Sequence, residues 1–232
     1  MPTYVYCLLT ASREPRSHMP GGLDGAHVRV VHAGPVDVLA SDVAQGAPTP
    51  TIERIRAHDE VVRWALEQET PLPARFGQTF DGDAAVIEAV RVREHAFTGA
   101  LERVRGLVEM TVRVKLSVDA GSDGRVVRTE GLSGRDYLAR VRERQRRMRA
   151  WQEEADFLRR RVADRVRAVV HAEASSVSTR PMRLLAISHL VERDSVRRYR
   201  EELSMLAESD RTLQLRISGP WAPYSFADMA RV

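Results

Sequence analysis

The chain has 232 residues, 43% hydrophobic and 29% charged, with a net charge of +4. That length allows two domains or one large one. Acids are interleaved with bases throughout, which argues against a dedicated nucleic-acid surface, since that needs concentrated positive charge.

The sole cysteine, Cys7, rules out an intramolecular disulfide and a multi-cysteine zinc site. The opening residues lack the basic-then-apolar pattern of a secretory signal, and no run approaches the ~20 apolar residues of a membrane helix. A cytoplasmic protein is the expectation.

Thr3 to Leu9 reads as a buried strand, bounded by Thr10 and Ser12. A Ser-, Pro- and Gly-rich loop follows through residue 26, then strands at His27–Val31 and Val36–Ala40 around the Gly34-Pro35 turn. The period then changes to helical. Thr49-Pro50-Thr51 marks a helix entry, and Ile52, Ile55, Val62 and Leu66 recur at helical spacing through Glu69. Leu72 to Gly77 is short and apolar, and Pro73 confines it to an edge or terminal strand. One helix is predicted from about Ala84 to Arg105, with a stripe of Val86, Ile87, Val90, Ala96, Phe97, Leu101 and Val104.

Leu107 to Val118 alternates strictly, with Glu109, Thr111, Arg113, Lys115 and Ser117 on a face expected to be wet. A loop runs to Gly134. A long helix, from about residue 135 to 172, follows without glycine or proline after its start. A short strand at Ser175–Ser178, a turn at Arg180-Pro181, a strand at Met182–Val191 and an amphipathic helix at Asp194–Glu208 come next. Leu213 to Ser218 alternates as a last strand that should stop at Gly219-Pro220, because proline cannot donate a ladder bond. An aromatic tail at 219–226 closes the pattern.

These elements predict an α+β fold of two domains, antiparallel sheets with helices. The first spans 1–105. The second spans 106–232 and follows strand, helix, strand, strand, helix, strand, the split-βαβ order of a ferredoxin-like sheet with a long helix.

Taken together, several blocks resemble the gas vesicle accessory proteins of the F/L family. They are Tyr4-Val5-Tyr6, Gly22-Leu23, Val28 to Gly34, His58 with Val61, Leu72-Pro73-Ala74-Arg75-Phe76-Gly77, Phe80 and Leu101 to Lys115. The most specific is Gly219-Pro220-Trp221-Ala222-Pro223-Tyr224-Ser225-Phe226. Cys7 stands where the family usually has glycine, and Gln78 where it commonly has threonine, which leaves F-type or L-type open. The resemblance covers nearly the whole chain. It implies a non-enzymatic role in assembling cytoplasmic gas vesicles, with the small hydrophobic shell protein and other accessory proteins as partners. The alternative is a nucleic-acid-binding module using the arginine-rich face of the long helix.

No constellation supports an enzyme, a metal site or a cofactor. His58-Asp59-Glu60 cannot converge from one helix, because consecutive residues do not share a face. His58 reads instead as a partner-facing or capping side chain, and Cys7 as a small buried hydrophobe. Arg75 and Phe76 follow a chain direction set by Pro73 and Gly77; Arg75 is read as a guanidinium clamp at the domain junction or a contact to the shell protein. Trp221, Tyr224 and Phe226 are costly to leave in water. They are read as an interdomain latch, with partner contact secondary.

Overall fold

The computed structural model describes residues 1–44, 46–115, 134–178, 184–210 and 213–227. The expected end of the strand at 116–118, the loop before Gly134, the Arg180-Pro181 turn and the first residues of the Met182–Val191 strand lie outside them.

By its own contacts the chain divides into two units. One comprises Met1–Met110, His189–Val196 and Gly219–Val232; the other Thr111–Ser188 and Arg197–Ser218. This partition follows contacts in space, so two late segments join the first 110 residues.

The first unit is built on an antiparallel sheet. β1 (Thr3–Thr10) lies between β3 (Val36–Asp42) and the two-residue β4 (Leu72–Pro73); β2 (Arg29–Ala33) pairs the far side of β3, and β5 (Thr79–Phe80) pairs β1. Edge placement of β4 is what Pro73 requires, since an edge strand has a side that needs no donor. The short β5 is too brief to leave a periodic signal.

A bulge in β1 governs this unit. The register slips between Val5↔Ala40 and Cys7↔Leu39, leaving Tyr6 as the extra residue. Alternation is therefore reset mid-strand. Tyr4, Tyr6, Cys7 and Leu9 join one core cluster with Leu23, Leu39, Val61, Val62 and Ala65. Val5 and Leu8 line an apolar crevice with Val38, Phe80, Val86, Val90 and Phe97. Both faces of β1 are thus buried, and the strand reads as a continuous apolar run.

Helix α1 (Ile52–Gln68) covers the first of these faces. Its N-cap is Thr51, whose side chain accepts from the Arg54 amide at 3.3 Å. At its other end the Arg193 guanidinium donates to the Leu66 carbonyl, satisfying an acceptor that the helix leaves open. The buried stripe is His58, Val61, Val62, Ala65 and Leu66. Ile52 and Ile55, expected in the stripe, are exposed at 65% and 48%. They belong to the first turn, which precedes the part of the helix that meets the sheet cluster.

The single helix expected over Ala84–Arg105 is two: α2 (Asp83–Val92) and α3 (Glu94–Val104), broken at Arg93, whose φ of −119° and ψ of 18° leave the helical region. Neither glycine nor proline marks the break. It lets Val86 and Val90 of one helix and Phe97, Ala100, Leu101 and Val104 of the next all reach buried positions. Ile87 and Ala96, counted in the predicted stripe, are exposed.

A second sheet has the order β7-β8-β6-β9, formed by β6 (Leu107–Lys115), β7 (Val170–Ser178), β8 (Leu184–Glu192) and β9 (Leu215–Trp221). The helices α4 (Gly134–Val166) and α5 (Val196–Ser209) fall between β6 and β7 and between β8 and β9. With β6 between β8 and β9, this β-α-β-β-α-β order is compatible with the ferredoxin-like class.

α4 is one helix, but it stops before the predicted end, and residues 170–178 form a longer strand than the Ser175–Ser178 expected. Val169-Val170 is β-branched, and Val169 turns into the core at the helix exit. Ala155, Leu158, Val162 and Val166 of α4 are buried, whereas residues 142–150 are exposed throughout. Ion pairs from Arg161 to Asp210 (2.7 Å), Arg165 to Glu202 (2.9 Å) and Arg159 to Glu173 (2.8 Å) flank the buried half.

Two further expectations change in this sheet. β9 does not stop at Ser218 but runs through a cis Gly219-Pro220 bond to Trp221. It is the edge strand, where proline is tolerated. Glu109 and Thr111, assigned to a wet face, are buried at 5% and 8%.

Candidate interaction site

The sequence candidates His58 and Phe76 meet at a buried aromatic cluster on the first sheet. Tyr4 and Tyr6 project from β1 and pack edge-on with centroids 4.9 Å apart. His58 lies 5.7 Å from Tyr4 and 5.6 Å from Tyr6, and Phe76 lies 5.9 Å from Tyr4 and 6.0 Å from His58. Such edge and tilted contacts follow ring quadrupoles.

Hydrogen bonds fix the polar atoms. The Tyr4 hydroxyl accepts from the Gly77 amide at 3.2 Å and shares a 2.8 Å bond with His58 Nδ1. The Tyr6 hydroxyl bonds Ser41 Oγ at 2.8 Å and accepts from the Leu23 amide at 2.8 Å. Gly22 sits beneath it: a Cβ there would lie 2.2 Å from the Tyr6 oxygen.

His58 is 4% exposed. It is therefore neither partner-facing nor a cap; it lies seven residues beyond the N-cap, inside the core. Burial lowers its pKa to about 4, offset in part by the Ala74 carbonyl and the Asp59 charge. Burial likewise pushes the Tyr4 and Tyr6 hydroxyls and the Cys7 thiol above their ordinary values. Cys7 is fully buried, as a small hydrophobe in a strand should be. The pKa shifts keep these groups neutral near pH 7, and packing holds them. Among the described residues no cluster of His, Cys, Asp or Glu could hold a metal ion.

The aromatic tail belongs to the same unit. Ala222 is part of the core cluster that contains Tyr4 and Tyr6. Ser225 donates to Glu109 twice, from its amide to Oε2 at 2.8 Å and from its hydroxyl to Oε1 at 2.7 Å. That pair explains the buried carboxylate, since a buried acid must have donors. Gly219 has a φ of +113°, and a Cβ at that position would stand 2.7 Å from the Glu109 carbonyl oxygen and 3.0 Å from Met110 Sδ. Only glycine lets the tail pass this close to β6. The Tyr224 hydroxyl is held above its ordinary value by burial and by the neighbouring Asp59, Cys7, Tyr4 and Glu109.

Of the six sequence candidates, His58 and Phe76 touch. Trp221 and Tyr224 keep 40% and 39% exposure, and Phe226 is half-buried. Arg75 is exposed, and among the described residues its guanidinium has no hydrogen-bond or ion-pair partner, so it clamps neither a carboxylate nor a carbonyl. Sequence reasoning missed Glu109 and Arg193: an acid in an alternating strand and an arginine after one carry no mark of their distant partners.

Known proteins resemble this chain in sequence and fold. A sequence model of the family described as gas vesicle synthesis protein GvpL/GvpF matches residues 2–228. Gas vesicle protein F of Streptomyces sp. (strain CB03234) is 28% identical, over 98% of this chain and 100% of that protein. Gas vesicle protein L of the same strain is 32% identical over 75% of this chain and 69% of that protein. The crystal structure of GvpF from Anabaena sp. PCC7120 superposes with a TM-score of 0.78 at 16% identity, covering 99% of this chain and 97% of that one. That of GvpF from Microcystis aeruginosa gives 0.78 at 14% identity, over 98% and 99%. The α+β fold with two sheets is thus that of the GvpF structures, and the chain belongs to the GvpL/GvpF family of gas vesicle proteins.

Proposed function

We propose that the chain is a non-enzymatic accessory protein of gas vesicle assembly. It binds the small hydrophobic shell protein and other accessory proteins, supporting nucleation or growth of the vesicle. The observation that carries this reading is the family match across residues 2–228. Nothing in the Tyr4–His58 cluster competes with it: the titratable groups there are neutral and enclosed.

The proposed contact surface is the exposed rim around that cluster, with Arg75, Trp221 and Tyr224 as its side chains and Phe76 and Phe226 at its half-buried edge. An aromatic pair with an arginine is the composition of a binding hot spot. The tail is itself anchored by Ala222 in the core cluster and by Ser225 on Glu109, which leaves its exposed rings for a partner. Gas vesicle association in the cytoplasm follows from this role; among the described residues no helix is long and apolar enough to cross a membrane.

The test is co-purification with the shell protein, coupled to vesicle formation in cells lacking the chain and complemented by variants. Trp221→Ala and Arg75→Glu should reduce shell-protein capture while leaving the melting temperature unchanged. Normal vesicles without the chain, together with no capture by the wild type, would overturn the proposal.

A further inference from the structure

The second unit carries a basic pocket that the assembly role does not use. Arg113 and Lys115 of β6, Arg216 of β9, Gln214 and Leu184 line a cavity of about 340 Å³. Arg113, Lys115, Gln214 and Arg216 are all exposed, on the sheet face opposite the buried Met110, Val112 and Val114. Among the described residues none of the three cations has an ion-pair or hydrogen-bond partner, in a molecule where other arginines are widely paired.

The strand register makes this arrangement costly. Ser218 Oγ lies 3.5 Å from the Thr111 carbonyl, and Gly219 lies against Met110. Continued two residues along each strand, that pairing sets Arg216 beside Arg113. Like charges directly opposite on neighbouring strands destabilise a sheet. Two guanidinium forks and an ammonium around one concavity, with no acid among its described lining residues, are complementary to a multiply charged oxyanion.

We propose that this pocket binds a phosphate-bearing small molecule of at least two negative charges. Its volume falls at the lower end of the ~300–1,000 Å³ usual for small-ligand sites. The described lining residues include no aromatic on which a base could stack, which disfavours a single-stranded nucleic acid. Leu184 supplies an apolar wall and Gln214 an amide, enough to orient an organic group attached to the phosphate.

The test is calorimetric titration of the full chain with inorganic pyrophosphate and with a nucleoside triphosphate, at low and at physiological salt. Parallel measurements use Arg113→Gln and Arg216→Gln, with folding checked by circular dichroism. Saturable one-to-one binding is expected, weakened at least ~10-fold by either substitution. The ligand-free Arg216→Gln protein should melt no lower than wild type, because a like-charge pair has been relieved. Tighter binding of the nucleoside triphosphate than of pyrophosphate would identify an organic phosphate as the ligand. The proposal is overturned if neither compound binds, if binding is unchanged in both variants, or if only single-stranded RNA binds with affinity that grows with its length.

Discussion

Replacing His58 by glutamine tests the central cluster through its pH dependence. In the folded protein His58 titrates at about 4, against an ordinary 6.5. The folded state therefore binds fewer protons than the unfolded chain between those values, so stability falls as pH falls. The stabilisation is fully present above pH 6.5 and is lost progressively down to about pH 4. At about 1.4 kcal/mol per pH unit, the difference amounts to about 3 kcal/mol. Glutamine can still hydrogen-bond the Tyr4 hydroxyl but does not titrate. Urea unfolding of both proteins, in buffers from pH 7.5 to 4, isolates the histidine, because all other titrating groups cancel in the difference. The gap in unfolding free energy should be constant above pH 7 and shift in the variant's favour by about 3 kcal/mol near pH 4. A gap that stays flat over the whole range would refute the reasoning, as would a His58 ring resonance titrating near 6.5 in the native protein.

Other expectations concern the tail and its anchor. Gly219→Ala should destabilise by roughly 1–3 kcal/mol or more, since a side chain must adopt a positive φ and displace the Glu109 carbonyl; differential scanning calorimetry checks it. Glu109→Ala removes the acceptor of both Ser225 donors and should cost about 1.5–3 kcal/mol in chemical denaturation. Truncation after Ser218 should lower the melting temperature, because Ala222 leaves the core and Glu109 is left buried without Ser225. An unchanged melt with lost shell-protein capture would assign the tail to a partner instead. Gly22→Ala forces the Tyr6 hydroxyl away from the Leu23 amide and should lower stability by about 1–3 kcal/mol, read from the urea midpoint.

Much of the fold was legible because hydrophobic period is a local property. β1, α1 with its Thr51 cap, the edge strand at Pro73 and the β-α-β-β-α-β order all follow from spacing and turn residues. What escaped depends on tertiary partners. The break at Arg93 has no helix-breaking residue and is decided by what the two helices cover. Strict alternation assigns Glu109 to water, whereas a serine 116 residues away makes its burial tolerable. Proline at 220 marks a strand end by local rules, and edge placement makes it compatible with a strand. For the candidate residues, the sequence singled out His58 and Phe76 together but could not show that His58 faces inward, because a histidine at an apolar helical position has the same spacing either way.

The tail has a consequence for biosynthesis. Ala222 completes a core begun by Tyr4 and Tyr6, and Ser225 anchors Glu109, so the unit that holds the first residues also needs some of the last. Domains of most chains fold in order as they leave the ribosome. Here the earliest-made sheet waits, with one apolar face incompletely covered, until residues 219–226 are released. A stalled or prematurely ended chain presents that uncovered face, and it is during this interval that a chaperone would be needed most.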